Sequence, residues 1–258
     1  MWTLVASNAL SVLAMVSALW LWSLYRRDAS VIDPWWSMGF LLVTARTTLA
    51  TGVTPAKVLL LSAVALWALR LWWHLTRRAI GKPEDPRYQA FRARYGAARY
   101  WWVSFFQVFL LQGVLMLVIS APLQLASAAP SPDPFAWNDL AGLALFVVGF
   151  AFEAIGDHQL TRFRGDPAMK GRVLDTGLWR YTRHPNYFGE AVMAWGFWLS
   201  AIDRPYGVMT AFAPALMTFL LLRVSGVTLL EAQLTKTRPG YADYVRKTSS
   251  FWPRRPRE

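Results

Sequence analysis

Cysteine is absent from the 258-residue chain, and histidine occurs only three times. The absence of cysteine excludes disulfide bonds, thiolate chemistry and metal sites built on cysteine. The three histidines, His74, His158 and His184, lie far apart in the sequence, so we expect no metal site. The chain also lacks the glycine-rich dinucleotide fingerprint, the Walker motif, the His-Glu-x-x-His motif and the Gly-x-Ser-x-Gly motif. A doubly wound nucleotide-binding domain and a serine hydrolase are therefore not indicated.

Acidic residues are scarce, because 15 Asp and Glu face 27 Lys and Arg and leave a net charge of +12. Apolar residues make up 55% of the chain in long runs, and there are 15 tryptophans. Long apolar runs indicate membrane helices, and tryptophan concentrates at membrane interfaces. No stretch between the runs is long enough for a soluble core, so we predict one all-α integral membrane domain over residues 1–258. The first run lacks a basic leader and a clear cleavage site, which favours a retained span over a signal peptide.

Seven segments have about the 20 mostly apolar residues that cross a bilayer. They are Thr3–Tyr25, Trp35–Gly52, Ala56–Thr76, Trp101–Leu125, Trp137–Gly156, Tyr187–Ile202 and Tyr206–Leu230. All but five of the 27 Lys and Arg residues lie in alternate connections, which begin at Arg26, Arg77, Asp157 and Glu231. This distribution predicts seven transmembrane helices with the N-terminus outside and the C-terminus cytoplasmic. It accounts for the basic charge without nucleic acid, and no obligate protein partner is indicated.

The stretch from Gly177 to Glu190 combines two arginines, a histidine, an asparagine, two tyrosines and a glutamate, and an apolar run follows it. Pro185 suits the first position of a helix, with His184 outside it as the cap. Unpaired N–H groups at a helix start, flanked by arginines, favour an anion such as phosphate. An interfacial anchor of Arg and Tyr is the alternative. An anchor does not need Asn186 and Glu190 one turn apart, so we favour a binding site.

Ionisable residues within or beside the predicted spans are further candidates, because a charge in the membrane is costly. Glu153, Asp157 and Arg164 recur at spacings of four and seven and share one helical face. We favour a ligand-facing stripe over a solvated, salt-bridged edge. Arg223 lies deep in the last predicted span and requires an anion or a carboxylate. Asp33, just before the second span, is either a helix cap or a functional acid, and both interpretations stay open at this point.

The stretch Gly177–Glu190, with Glu153–Asp157 before it and Tyr241–Tyr244 after it, resembles the C-terminal region of the steroid 5α-reductases and their bacterial relatives. The core Arg183–Tyr187 is also similar to the sterol Δ14-reductases and, more loosely, to the isoprenylcysteine carboxyl methyltransferases. The resemblance covers about residues 140–258 and is weak before them. It implies a multi-pass reductase of the bacterial inner membrane that uses NADPH to saturate an activated carbon–carbon double bond in a steroid.

The resemblance further implies that NADPH lies in a cytoplasm-facing cavity of the C-terminal region, residues 137–258, and that helices within residues 1–125 face the substrate. The matching cofactor-contacting positions are Asp157, Arg164, Tyr181, Asn186, Glu190 and Arg223, to which the Δ14-reductase motif adds Arg183, His184 and Tyr187. The arginines would supply planar forks for the phosphates, and an additional arginine distinguishes NADP from NAD sites. Two family positions differ here: Glu153 replaces an asparagine, and Glu231 replaces a late tyrosine.

Reduction of an enone needs a hydrogen-bond donor at the carbonyl oxygen, where negative charge develops. The 5α-reductases use a glutamate at the start of the second span and a tyrosine in the third. Asp33 matches the glutamate, and we predict that it is the catalytic acid, held neutral by an apolar site. The third predicted span contains no tyrosine, so this comparison assigns no partner to Asp33.

The alternative function is a membrane methyltransferase that uses S-adenosylmethionine and shares the same type of loop. Glu190 and the acidic stripe of the fifth span favour the reductase. A receptor or transporter without chemistry is disfavoured, because the polar groups crowd the cytoplasmic side instead of the middle of the membrane. We therefore expect a steroid or another enone lipid as the substrate, with membrane lipid as the other partner.

Overall fold

The structure is a computed structural model that describes residues 2–129, 135–224, 231, 234–235 and 237–257. All regular secondary structure in these residues is helical, as the long apolar runs predict. The chain forms two compact units. The N-terminal unit consists of Met1–Ala136 and Ser200–Thr210, and the C-terminal unit consists of Trp137–Leu199 and Ala211–Glu258.

The N-terminal unit is built from α-helices of different lengths. They are α1 (Trp2–Arg26), α2 (Trp36–Thr51), α3 (Pro55–Ala79), α4 (Pro86–Tyr95), α5 (Ala97–Ser104), α6 (Leu111–Ile119) and α7 (Ala121–Ala128). A 3-10 helix, Ala29–Trp35, links α1 to α2, and a π-helical segment, Phe105–Leu110, makes α5 and α6 one continuous helix. The side chains of Thr54 and Asp85 cap α3 and α4, each of which begins with proline.

The C-terminal unit contains one long helix, α8, and shorter helices that follow it. The described α-helices are α8 (Trp137–Gly165), α9 (Pro185–Leu199), α10 (Phe212–Phe219) and α11 (Tyr241–Lys247). The start of α9 at Pro185 confirms the helix start that the sequence predicts, and the carbonyl of His184 accepts the Phe188 N–H at 3.0 Å. A π-helical segment, Leu220–Val224, continues α10.

Four helices of the described residues are long and apolar enough to cross a membrane: α1, α3, the continuous α5–α6 helix and α8. They correspond to the first, third, fourth and fifth predicted spans. The helices α2 and α9 lie in the second and sixth predicted spans, but they have only 16 and 15 residues. The seventh predicted span contains a shorter apolar helix, Val208–Val224, and its last part, residues 225–230, lies outside the described residues. Seven spans and the orientation of the termini stay predictions.

Glycines bring the backbones of α8 and α9 unusually close together. A Cβ atom on Gly189 would lie 2.3 Å from the carbonyl oxygen of Gly149, and one on Gly196 would lie 2.7 Å from that of Gly142. A Cβ on Gly156 would lie 3.1 Å from the ring of Pro185. The three glycines of α8 are seven residues apart, so they occupy nearly one face of the helix. This face holds the start of α9 against the C-terminal half of α8.

We expect Gly189→Ala to destabilise the C-terminal unit, because the added methyl group would meet the backbone of α8 at Gly149 and Glu153. Overpacking of this kind costs roughly 1–3 kcal/mol. The measurement is thermal unfolding of the detergent-solubilised protein. Gly165→Ala is the control, because a Cβ at that position has no heavy atom within 4 Å. Equal unfolding temperatures for the two variants would contradict the close packing of α8 and α9.

Candidate functional site

The segment before α9, residues 177–184, is attached to α8 by polar contacts. The Leu178 N–H donates to the side-chain oxygen of Gln159 at 3.0 Å. The indole N–H of Trp179, a buried side chain, donates to the carbonyl of Gly156 at 3.1 Å. These contacts position the loop before it enters α9, so the polar residues that follow start from a constrained backbone.

Arg183 is buried, and all three nitrogens of its guanidinium group donate to the protein. Nε and Nη2 form a bidentate pair with Glu231, at 2.8 and 3.0 Å from Oε1 and Oε2. Nη1 donates to the carbonyls of Val245, at 3.0 Å, and Thr248. The backbone N–H of Arg183 donates to the carbonyl of Ser249 at 2.9 Å. Arg183 therefore connects the loop before α9 to Glu231 and to residues 241–257, which we call the C-terminal segment.

His184 shares the carboxylate of Glu231 with Arg183. Its Nε2 atom lies 3.0 Å from Glu231 Oε1, and its ring stacks on that of Tyr187 at a centroid distance of 5.5 Å and an interplanar angle of 2°. Burial acts to raise the pKa of the Glu231 carboxyl, but the hydrogen bonds from His184 and Arg183 outweigh it and lower the pKa. Glu231 therefore carries a negative charge that fixes the side chains of Arg183 and His184.

Asp157 and Asn186 form the second contact of this site. Asn186 Nδ2, on the first turn of α9, donates to Asp157 Oδ1 at 3.1 Å, and Asp157 is buried in α8. The side-chain oxygen of Asn186 is also buried and accepts no hydrogen bond from the described residues. A buried amide oxygen of this kind is costly unless a donor meets it. The pair thus offers a buried carboxylate next to an acceptor that a hydroxyl or amide group can satisfy.

The remaining predicted cofactor residues lie in the same unit with more exposed side chains. Arg164, near the end of α8, and Arg223, in the π-helical segment after α10, are exposed. Tyr181 is 42% exposed, and Glu190 is partly buried on α9. The contacts given above bring together Asp157 with Asn186, Arg183 and His184 with Glu231, and Tyr187 with His184. The roles of the four more exposed residues stay predictions.

Asp33 lies in the N-terminal unit, near the end of the 3-10 helix that precedes α2. The hydroxyl of Tyr88 donates to Asp33 Oδ1 at 2.5 Å, and Arg87 Nη2 donates to Asp33 Oδ2 at 2.8 Å. Gln112 Nε2 in turn donates to the Tyr88 hydroxyl at 3.2 Å. No side-chain hydrogen bond caps α2, so the carboxylate of Asp33 is used for side-chain contacts and not for a helix cap.

The helix α4, which carries both partners of Asp33, is held against the 3-10 helix Ala29–Trp35. The carboxylate of Glu84 accepts the Ala29 N–H at 2.8 Å, and the Asp85 N–H donates to the hydroxyl of Ser30 at 3.1 Å. Arg92 of α4 donates to Glu84 from both Nε and Nη2, at 3.0 and 2.8 Å. These bonds explain why Tyr88 meets the carboxylate of Asp33, although the two residues are 55 positions apart in the sequence.

The environment shifts the proton affinity of both members of the Asp33–Tyr88 pair. Burial raises the pKa of Asp33, although Arg87 and the Tyr88 hydroxyl act in the opposite direction. Burial and the neighbouring Asp33 carboxylate raise the pKa of Tyr88 well above its ordinary value. The phenol therefore keeps its proton at neutral pH, and the carboxyl takes up a proton more readily than an exposed aspartate.

Sequence reasoning missed Tyr88, Arg87 and the role of Glu231. Tyr88 and Arg87 sit in a basic connection between predicted spans, where their residue types suggested only a cytoplasmic loop. The available signal was the helix start at Asp85–Pro86, which predicts a helix but not its docking site. Glu231 was noted only as a departure from the resembling family.

A family model described as "Protein of unknown function (DUF1295)" matches residues 19–248. The chain belongs to this family. The DUF1295 family includes steroid 5α-reductase-like proteins, which agrees with the resemblance seen in the sequence. The matched residues include Asp33, Tyr88 and the loop before α9, so both groups of polar residues lie within the part of the chain that defines the family.

Among curated proteins, the chain is similar to "Uncharacterized protein C594.04c" of Schizosaccharomyces pombe. The two are 23% identical over 267 residues, which cover 92% of this chain and 76% of the yeast protein. No solved structure matches the chain. The DUF1295 protein described here is thus similar over nearly its whole length to a eukaryotic protein.

We expect Arg183→Met to release the C-terminal segment from the loop before α9. The substitution leaves the carbonyls of Val245 and Thr248 without this donor and removes both Arg183 bonds from the Glu231 carboxylate, which keeps its contact with His184. Removal of one member of a buried pair costs about 3–5 kcal/mol. Hydrogen exchange of residues 241–257 should accelerate by about 100-fold or more. Arg180→Met is the control, because Arg180 is an exposed neighbour in the same loop. Unchanged exchange in Arg183→Met would contradict this role.

Proposed function

We propose that this DUF1295 protein is an NADPH-dependent membrane reductase that saturates the carbon–carbon double bond of a 3-oxo-Δ4 steroid or a similar enone lipid. The observation that carries the proposal is the hydrogen bond of 2.5 Å between the Tyr88 hydroxyl and the Asp33 carboxyl. The resembling reductases use a carboxylic acid and a tyrosine together. Here the aspartate stands at the matching position before α2, and α4 supplies the tyrosine.

This acid pair suits the reduction of an enone, because negative charge develops on the carbonyl oxygen as hydride arrives at the β-carbon. Burial raises the pKa of Asp33, so its protonated form can donate a hydrogen bond to that oxygen. Tyr88 donates to Asp33 Oδ1 and is itself fixed by Gln112. The pair can therefore stabilise the enolate oxygen and later return a proton, whereas methyl transfer to an acceptor does not need such a donor.

The polar residues around the start of α9 are those that would hold NADPH. The buried oxygen of Asn186 fits a hydroxyl or amide N–H of the cofactor, and Asp157 beside it fits a second donor. Arg164 and Arg223 carry exposed guanidinium groups suited to phosphates. Arg183 holds Glu231 and the C-terminal segment, so we assign it to positioning the loop. When bound, NADPH supplies the hydride.

The proposal includes a cytoplasmic position for the cofactor site, for which the distribution of Lys and Arg in the sequence is the support. The candidate membrane-spanning helices support an integral membrane enzyme. Its substrate would then reach Asp33 as a lipid-soluble molecule. An enone lipid would dissolve in the same membrane that holds the enzyme.

The first test separates the reductase from the methyltransferase. NADPH should raise the unfolding temperature of the detergent-solubilised protein, and S-adenosylmethionine should leave it unchanged, because only a true ligand stabilises the folded state. At 100 times its Kd a ligand stabilises by about 2.7 kcal/mol. Asn186→Leu should reduce the stabilisation by NADPH. Arg162→Gln is the control, because Arg162 is an exposed residue of α8. Stabilisation by S-adenosylmethionine alone would contradict the proposal.

The second test concerns the acid pair. Asp33→Asn and Tyr88→Phe should keep the stabilisation by NADPH and lose turnover of 3-oxo-Δ4 steroids by about 100-fold to 10,000-fold, the usual contribution of a positioned acid. Turnover is followed as NADPH oxidation, with identification of the saturated product. Tyr95→Phe is the matched control, because Tyr95 lies on the same helix, α4, and stacks only against Arg94 among the contacts described. Full activity in Asp33→Asn would remove Asp33 from the mechanism.

A further inference from the structure

We infer that Arg87 is a positioning residue that occupies Oδ2 of Asp33 until a substrate oxygen displaces it. The inference rests on the proposed function, since it assumes that Asp33 donates to a carbonyl oxygen. It adds a residue to which neither the resemblance nor the family assigns a role. Arg87 would make proton donation by Asp33 depend on the arrival of the substrate.

Both oxygens of Asp33 are engaged in hydrogen bonds. Oδ1 accepts the Tyr88 hydroxyl at 2.5 Å, and Oδ2 accepts Arg87 Nη2 at 2.8 Å. Gln112 donates to the same hydroxyl, so the single proton of Tyr88 points to Oδ1. Because Oδ1 already accepts the Tyr88 hydroxyl, Oδ2 is the oxygen from which a protonated Asp33 would donate to a substrate. A protonated carboxyl oxygen is a much weaker acceptor than a carboxylate oxygen, so a proton on Oδ2 weakens the bond from Arg87, and the bond from Arg87 disfavours that proton.

Arg87 can leave the Asp33 carboxylate, whereas Tyr88 is held in place. Tyr88 is 5% exposed and hydrogen-bonded to Gln112. The side chain of Arg87 is 48% exposed, and exposed ion pairs contribute little to stability. Asp85 accepts from Arg87 Nε at 2.9 Å and from Nη2 at 3.3 Å, so it retains the guanidinium group when Asp33 releases it. The exchange therefore breaks one bond at the surface and leaves the buried tyrosine in place.

Charged groups around Asp33 act on its pKa together with burial. Burial raises its pKa, and the groups that face it are Arg87, Tyr88 and Asp85 of the α4 region and Arg78 at the end of α3. Arg87, Tyr88 and Arg78 lower the pKa, and Asp85 raises it. Loss of Arg87 removes the largest of the opposing influences, so the pKa of Asp33 should rise further. The protonated form, which is present below the pKa, then persists to higher pH.

The experiment compares Arg87→Gln with Arg87→Lys, which keeps the charge, and with Arg94→Gln, which removes an exposed charge elsewhere on α4. The protonation of Asp33 is followed by infrared titration of its carboxyl band, identified by its loss in Asp33→Asn. In Arg87→Gln the titration should move to higher pH, and in Arg87→Lys and Arg94→Gln it should stay near that of the natural protein. An unmoved titration in Arg87→Gln overturns the inference.

The same variants are then assayed for NADPH oxidation with 3-oxo-Δ4 steroids. In Arg87→Gln the decline of kcat/KM with rising pH should move to higher pH, and the KM at neutral pH should fall, because no arginine has to be displaced. A structural defect would lower activity at all pH values and would not move the decline. If no enone is reduced by the natural protein, the proposed function fails, and the infrared titration still decides whether Arg87 controls the proton of Asp33. A pH decline that does not move also overturns the inference.

Discussion

Charged side chains buried in an apolar protein need partners, and this constraint explains how the polar residues of this chain are arranged. An uncompensated buried charge costs several kcal/mol, more than most single contacts provide. Arg183 meets the constraint through Glu231 and backbone carbonyls of the C-terminal segment. Asp33, whose side chain is 30% exposed, is only partly buried and is paired with Tyr88 and Arg87. In both places a charge fixes how a distant segment of the chain folds back onto a helix.

The two groups differ in exposure, and this difference separates positioning from exchange. The side chain of Arg183 is 8% exposed and uses all its nitrogens, so it acts as a permanent connection between the loop and the C-terminal segment. The Arg87 side chain is 48% exposed and is shared between two carboxylates, so its contact with Asp33 can be replaced. The two arginines therefore have different roles because their solvent exposure differs.

The close packing of α8 and α9 gives the C-terminal site its geometry. Gly149 and Gly189 allow the two backbones to approach, and the next turns then bring Asp157 to within hydrogen-bonding distance of Asn186. Side chains at the glycine positions would separate the helices and with them the polar pair. The same approach places the loop before α9 where Trp179 can donate to α8. A rigid helix pair thus supports a site made largely of short polar contacts.

The local features of this protein were determined by its sequence. Apolar runs, capping residues and Pro185 predict helices and the start of α9, because these depend on neighbouring residues alone. Of the seven predicted spans, four correspond to helices of the described residues that are long and apolar enough to cross a membrane. The partner of Asp33 was decided only by the tertiary structure, since Tyr88 is 55 residues away in a basic connection whose pattern specifies no docking site. Glu231 likewise became a partner of Arg183 through folding across 48 residues. Hydrogen bonds between distant segments depend on how whole helices pack, and no local pattern of residues contains that information.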